Sequence, residues 1–300
     1  MENYDVCFAW NVREDADFAN LLDEACRRKS LRLLQVTPEN IREIHQNLFK
    51  ENLRFRALID RASDTDDQFT MLEEWAAAHA AYVINKKEFV SRAIDKSAMH
   101  SAFIDGGIQT PYTILLPSYH EQPDIPPIEL TRLGEKFIIK PAKGGGGEGV
   151  IGEARTWNDV LRARQEFPYD TYLLQVLIVA TELDGWQAWF RIIACSGEIY
   201  PSWWNTKSHE YREVSAEEEE RNRLFPLRGI TASIANICKL ELFSTEIALT
   251  ADNIFIVVDY VNDQLDLRLQ SKNADGIPDG IIRSVTERLV VLVQANAPAV

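Results

Sequence analysis

In the N-terminal third of the chain, short apolar runs alternate with amphipathic stretches. The run YDVCFAW (4–10) reads as a buried strand. Residues 15–29 then carry Phe18, Leu21, Leu22 and Ala25 at helical spacing, which places them on one face. LRLLQVT is the next strand, and Ile41, Ile44 and Leu48 mark a helix opening after Pro38. FRALID, a helix over 68–79 and the strand AYVIN complete the series. Strands alternating with helices predict βαβ units and a parallel sheet.

The pattern then changes. A helical stretch over 86–105 breaks at Gly106 and Gly107, and PYTILLPS follows as a short strand. The Pro-rich segment at 123–127 reads as a connection, and a short helix leads into the strand FIIKPA. A glycine loop and a second strand-like segment, VIGEA, come next. Thr156 caps a helix reaching about 167, and YLLQVLI is a strand. GWQAWFRIIACSGEIYPSWWN has the pattern of an antiparallel meander with a hairpin turn at Ser-Gly-Glu. Helices over 215–224 and 228–240 precede two strands, STEIALT and NIFIVVDYVN, joined near Asp252 and Asn253. A helix over 280–294 and a frayed NAPAV tail close the chain, which has no internal repeat.

Composition narrows the function. Three hundred residues suffice for two or three domains with sizeable cores. A net charge of −14, with EEEE at 217–220, argues against a nucleic-acid partner, which needs clustered Lys and Arg. No apolar stretch approaches the roughly 20 residues of a membrane span, and the N-terminus lacks a signal-peptide pattern. Cys7, Cys26, Cys195 and Cys238 are scattered without a CxxC pair, so reduced, structural thiols in a cytoplasmic protein are expected. There is no HExxH and no GxSxG, which removes support for a zinc hydrolase or a nucleophile elbow.

The stretch KFIIKPAKGGGGEGVI (136–151) holds four consecutive glycines, a costly choice in conformational entropy. Gly144, Gly146 and Gly149 satisfy GxGxxG, but that fingerprint requires a helix directly after the loop, and here a strand follows. A Walker A loop needs GK[ST], whereas Gly149 is followed by Val150. Protein-kinase HRD and DFG motifs are absent. What remains is a glycine hairpin over Gly144, Gly145, Gly146, Gly147 and Gly149, with Lys140 on the entering strand and Lys143 beside it. Backbone N–H groups and lysine charge together suit a triphosphate.

A bound triphosphate brings Mg²⁺, which takes carboxylate and phosphate oxygens. Glu246, Asp259 and Asn262 lie in otherwise apolar strands, where acids are expensive unless paired or metal-bound. If those strands form a hairpin, Glu246 and Asp259 face each other and call for a cation between them. The alternative is a pair of strand-end acids, each neutralised by an arginine such as Arg268.

In this order of motifs the sequence resembles the ATP-grasp superfamily, in particular carboxylate–amine ligases of the glutathione-synthetase and ribosomal-S6-modification type. The resemblance runs from about residue 86 to the C-terminus. It implies an α/β (α+β) ATP-grasp fold: an N-terminal parallel βα domain (1–94), a central lid subdomain (95–178) and a C-terminal subdomain with the metal site (179–300). Lys96, in IDKSAMHSAFIDGGIQTP, resembles the first nucleotide lysine and Lys140 the second, with its glycine lid. Gln175, Val176 and Ile178 resemble the hinge strand whose backbone meets adenine, and Glu182 the acid that takes the ribose hydroxyls. Arg191 resembles the arginine near the transferred phosphate, and Glu246, Asp259 and Asn262 the Mg²⁺ ligands. Two departures stand out. Asp259-Tyr-Val-Asn262 replaces the usual Glu-x-Asn, leaving Asn262 or Asp263 to complete the site, and Trp189 stands where many relatives carry an aspartate.

The resemblance implies an ADP-forming ligase that activates a carboxylate for attack by an amine or similar nucleophile. ATP and two Mg²⁺ ions are the implied cofactors, with Mn²⁺ an alternative ion. A small molecule or peptide is the implied substrate, and homodimerisation is left open. An alcohol kinase and a non-catalytic nucleotide-binding protein are the other readings; the high net negative charge disfavours the polyanionic substrates of the former. Trp203 and Trp204 are candidate walls of a substrate pocket, and Arg268 and Arg212 candidate grips for a carboxylate.

Overall fold

The computed structural model describes residues 1–298. The chain opens with β1 (Glu2–Trp10), α1 (Ala16–Arg28), β2 (Leu33–Val36), α2 (Ile41–Phe49), β3 (Leu53–Arg61), α3 (Thr70–Ala78) and β4 (Tyr82–Ile84). The four strands form a parallel sheet in the order β2-β1-β3-β4, as the alternation predicts. Side-chain alternation along β1 decides what each face covers. Val6 and Phe8 pack with Phe18 and Leu22 of α1, while Cys7 and Ala9 pack with Ile41, Ile44, Leu72 and Ala76 of α2 and α3.

The helical stretch over 86–105 is two helices, α4 (Lys87–Ala93) and α5 (Lys96–Asp105). Asp95 divides them: its carboxylate accepts from the N–H groups of Ser97 at 2.9 Å and Ala98 at 3.1 Å, a cap that starts a new helix. Lys96 thereby becomes the first residue of α5.

A second sheet follows. β5 (Thr113–Leu116), β6 (Phe137–Pro141), β7 (Ile151–Ala154) and β8 (Tyr172–Val176) pair antiparallel in the order β5-β8-β6-β7. Helix α6 (Trp157–Glu166) starts at the predicted cap, where Thr156 and Asp159 form a capping box. Val160 and Ala163 of α6 pack with Phe137, Ile139, Tyr172 and Leu174 in a core of this layer's own.

The remaining elements are β9 (Glu182–Leu183), β10 (Trp186–Gln187), β11 (Trp189–Cys195), β12 (Glu198–Trp204), β13 (Tyr211–Glu213), α7 (Ala216–Arg221), α8 (Pro226–Cys238), β14 (Leu242–Leu249), β15 (Phe255–Asn262) and α9 (Asp279–Asn296). Their main sheet is antiparallel, in the order β13-β12-β11-β14-β15. One face, with Phe190, Ile192, Trp203 and Phe243, packs with Met99 and Phe103 of α5 and Leu227 and Ile234 of α8. The other, with Ile193, Cys195 and Leu242, shares a core with α1, α9 and the N-terminal sheet. The last helix thus returns to the N-terminal sheet and fastens it to the five-stranded sheet.

The NAPAV tail is held rather than frayed as far as Pro298, because Arg56 donates to the carbonyls of Ala297 at 3.2 Å and Pro298 at 2.5 Å. Its last two residues lie outside the described residues. All four cysteines are buried and unpaired, as expected. Among the described residues, no helix is long and apolar enough to cross a membrane.

Candidate active site

Three adjacent strands carry a row of charges. Arg191 on β11 is paired in register with Glu246 on β14, and Glu246 with Asp259 on β15. Residues directly opposite share a face, so the three side chains stand side by side. Arg191 Nη1 lies 3.3 Å from Glu246 Oε1, and the two side chains are only 15% and 18% exposed. The hairpin expected of β14 and β15 is therefore present, with the two acids opposite each other.

The unusual Asp259-Tyr-Val-Asn262 spacing has a structural cause. Ser244 pairs with Asn262 while Glu246 pairs with Asp259, so two steps along β14 match three along β15. The extra residue is a β-bulge. A three-residue spacing in a regular strand would turn Asn262 to the far face; the bulge restores it to the face of Glu246 and Asp259. Asp263 lies beyond the strand end.

Electrostatics mark the row as incomplete. Burial, and then the neighbouring Asp259, push the Glu246 carboxyl up to about 7, against the pull of Arg191 and Lys140. Lys140 is 7% exposed, and burial lowers it to about 8 although Asp259 favours its charge. A buried carboxyl and a buried amine that both resist charging, beside a second acid, suit added cations and anions between them. The oxygen set of Glu246, Asp259 and Asn262 fits a hard divalent ion such as Mg²⁺.

The two lysines approach from separate elements. Lys140, on β6, donates from Nζ to the carbonyl of Val258 at 3.1 Å, next to Asp259. Lys96 donates its backbone N–H to Ala142 at 2.8 Å and its Nζ to the carbonyl of Gly144 at 2.7 Å. Helix α5 thus begins against the root of the glycine loop.

Within that loop, Gly144, Gly146, Gly147 and Gly149 take φ of 104°, 62°, 81° and 70°. A Cβ at Gly144, Gly145, Gly146 or Gly147 would meet nothing within 4 Å, so the protein itself leaves this stretch of backbone bare. Gly149 differs: a Cβ there would stand 2.5 Å from the Phe167 ring and 3.1 Å from Pro141. Packing at the loop's exit accounts for this fifth glycine, which the sequence places with the other four.

The hinge residues divide. Gln175 lies in a central strand between Thr113 of β5 and Ile138 of β6, and its buried side chain donates to Thr113 Oγ1 at 2.9 Å and Tyr260 OH at 2.8 Å. With both neighbours in place Gln175 is core, a correction to its expected role at the hinge. Val176 ends the strand and donates to the Tyr112 carbonyl at 3.0 Å. Ile178 follows outside any strand, between exposed Leu177 and Val179. Glu182 is exposed on β9, in register with Gln187 of β10.

The aromatic pair divides by strand alternation. Trp203 is 1% exposed and packs on Phe190 inside the core, so it is no pocket wall. Trp204 points to the opposite face, where its ring lies 4.9 Å from the Arg191 guanidinium carbon. Arg268 is not a free grip either: it pairs with Asp266 at 2.6 Å and Asp275 at 2.8 Å. Arg212 pairs with Glu218 at 2.8 Å, and its guanidinium carbon lies 4.7 Å from the Trp186 ring and 5.2 Å from the Trp203 ring. Sequence reading missed Tyr260 and His100, whose hydroxyl and Nδ1 meet at 2.7 Å beneath Lys140. A polar ring beside the candidate metal acid was the available signal.

No family model matches the chain, and no curated protein matches it. Solved structures do. A RimK-domain ATP-grasp protein from Sphaerobacter thermophilus is 16% identical with a TM-score of 0.62, covering 95% of this chain and 98% of its own. The D-alanine–D-alanine ligase from Bacillus anthracis, solved with ATP, is 13% identical with a TM-score of 0.65 and 97% coverage of both chains. The macrocyclase MdnC from Microcystis aeruginosa, solved with its precursor peptide, is 11% identical with a TM-score of 0.63, covering 96% of this chain and 99% of its own. Similar to these structures over nearly its whole length, this chain has the ATP-grasp fold.

Proposed function

We propose that the protein is an ATP-dependent, ADP-forming ligase of the carboxylate–amine type. The observation that carries this reading is the single row of Arg191, Glu246 and Asp259, with Lys140 held against β15 beside it. In this reading the bare backbone of Gly144, Gly145, Gly146 and Gly147 closes on the phosphates, and Lys96 and Lys140 supply the positive charge. The backbone of Val176 and Ile178 meets adenine, and Glu182 takes the ribose hydroxyls. Glu246, Asp259 and Asn262 hold Mg²⁺, which when bound neutralises phosphate charge.

Arg191 then faces the transferred γ-phosphoryl group. An oxygen of the substrate carboxylate attacks that phosphorus, and the bond to the bridging oxygen breaks to release ADP. The amine attacks the carbonyl carbon of the acyl phosphate, inorganic phosphate leaves, and the nitrogen gives up a proton. No step needs a protein nucleophile, so catalysis is positioning and charge stabilisation. The ligase neighbour solved with ATP and the macrocyclase neighbour solved with a precursor peptide support a small-molecule or peptide substrate.

Thermal shift with Mg-ATP tests the nucleotide half of the reading. Mg-ATP should raise the melting temperature of the wild type and raise that of Lys140→Ala much less. Equal stabilisation of both would remove Lys140 from the site.

A further inference from the structure

Tyr260, fully buried on β15, lies where four elements meet. Its hydroxyl is 2.7 Å from Nδ1 of His100 on α5 and 2.8 Å from Nε2 of Gln175 on β8. The Gln175 amide also donates to Thr113 Oγ1 at 2.9 Å, and Thr113 donates to the Pro111 carbonyl at 2.8 Å. Gln175 Nε2 can only donate, so the tyrosine oxygen accepts there. Burial and Lys140 lower the His100 pKa and so favour its neutral ring, which with Nδ1 unprotonated accepts a hydrogen bond from the tyrosine O–H. Above this relay, Lys140 Nζ stands 5.2 Å from the centroid of the Tyr260 ring.

We propose that Tyr260 is a positioning residue for phosphate binding, acting through Lys140. Its ring carries the ammonium, and its hydroxyl ties the strand of Asp259 to hinge strand β8 and to α5, the helix that begins with Lys96. This rests on the reading of Lys140 as a phosphate ligand. A lysine stem is long and flexible, and a buried ammonium is costly to keep charged. An aromatic face within about 6 Å lowers that cost and fixes where the charge sits.

The test is calorimetric titration of Mg-ATP and of adenosine, which has no phosphate to report on Lys140. Tyr260→Leu should weaken Mg-ATP by roughly tenfold and leave adenosine unchanged. Placed on Lys140→Met, the same substitution should have no further effect on Mg-ATP. Tyr260→Phe and Gln175→Leu keep the ring and break the relay; each should weaken Mg-ATP by about threefold, again only when Lys140 is present. These two carry the test if the Leu variant does not fold. Equal losses for Mg-ATP and adenosine, or an undiminished loss without Lys140, would overturn the proposal and leave Tyr260 as core packing. A wild type that binds no Mg-ATP, or a Lys140→Met that binds it normally, would instead overturn the reading on which the proposal rests.

Discussion

Asp259 and Asn262 face the same side of the sheet although three residues apart, because a bulge in β15 absorbs the extra residue. This separates two candidates for the third oxygen ligand. Asn262→Ala should weaken Mg²⁺-dependent nucleotide binding, while Asp263→Ala, beyond the strand end, should change it less. Asp259→Asn should still bind nucleotide but lose turnover by on the order of 100-fold or more, since an amide cannot neutralise metal charge. Titration with Mg-ATP against metal-free ATP reads the first two outcomes. Comparable binding losses at 262 and 263 would contradict the bulge argument.

The buried acid pair predicts a pH signature in the metal-free protein. Glu246 is raised from 4.5 to about 7, so the fold favours its protonated form. The associated stability is fully present below the unfolded value and is lost as pH rises through about 7. Raising the pH from 5 to 8 should therefore cost the wild type on the order of 2 kcal/mol more than Glu246→Gln. Added Mg²⁺ should offset that loss. Denaturant unfolding at the two pH values measures it, and parallel curves for both proteins would contradict it.

The five loop glycines should separate into two classes. Gly145→Val should leave stability within about 0.5 kcal/mol and impair turnover, because its side chain enters the space kept clear for phosphates. Gly149→Ala should cost about 1–3 kcal/mol, because the new methyl group meets the Phe167 ring and φ is positive. Thermal melts of both variants decide between them.

The thiols should be silent in the native state. Burial raises Cys26 and Cys195 to about 12 and Cys238 to about 11, and raises Cys7 as well. A thiol reagent at pH 8 should label none of them until the protein unfolds. Labelling of the folded protein with loss of turnover would contradict a mechanism without a thiol.

Much of this arrangement was legible along the chain. The βα alternation predicted the parallel sheet, and Thr156 marked the start of α6. Facing acids followed from the hairpin pattern of β14 and β15. Other features depend on contacts between distant segments. Nothing local reveals that Trp203 turns into the core while Trp204 meets Arg191; that follows from which face of β12 the neighbouring helices cover. Arg268 looked available because its partners, Asp266 and Asp275, have no recognisable spacing. The break at Asp95 was hidden by a continuous helical pattern on either side of a good capping residue.

The central claim is a reaction that passes through an acyl phosphate, and phosphorus NMR of the products tests it most directly. With Mg-ATP, a carboxylic acid substrate and an amine found by screening amino acids and short peptides, the products should be ADP and inorganic phosphate in equal amounts. Both signals should vanish on chelation of the metal and in Arg191→Ala. AMP with pyrophosphate, or phosphate retained on an alcohol, would contradict the account.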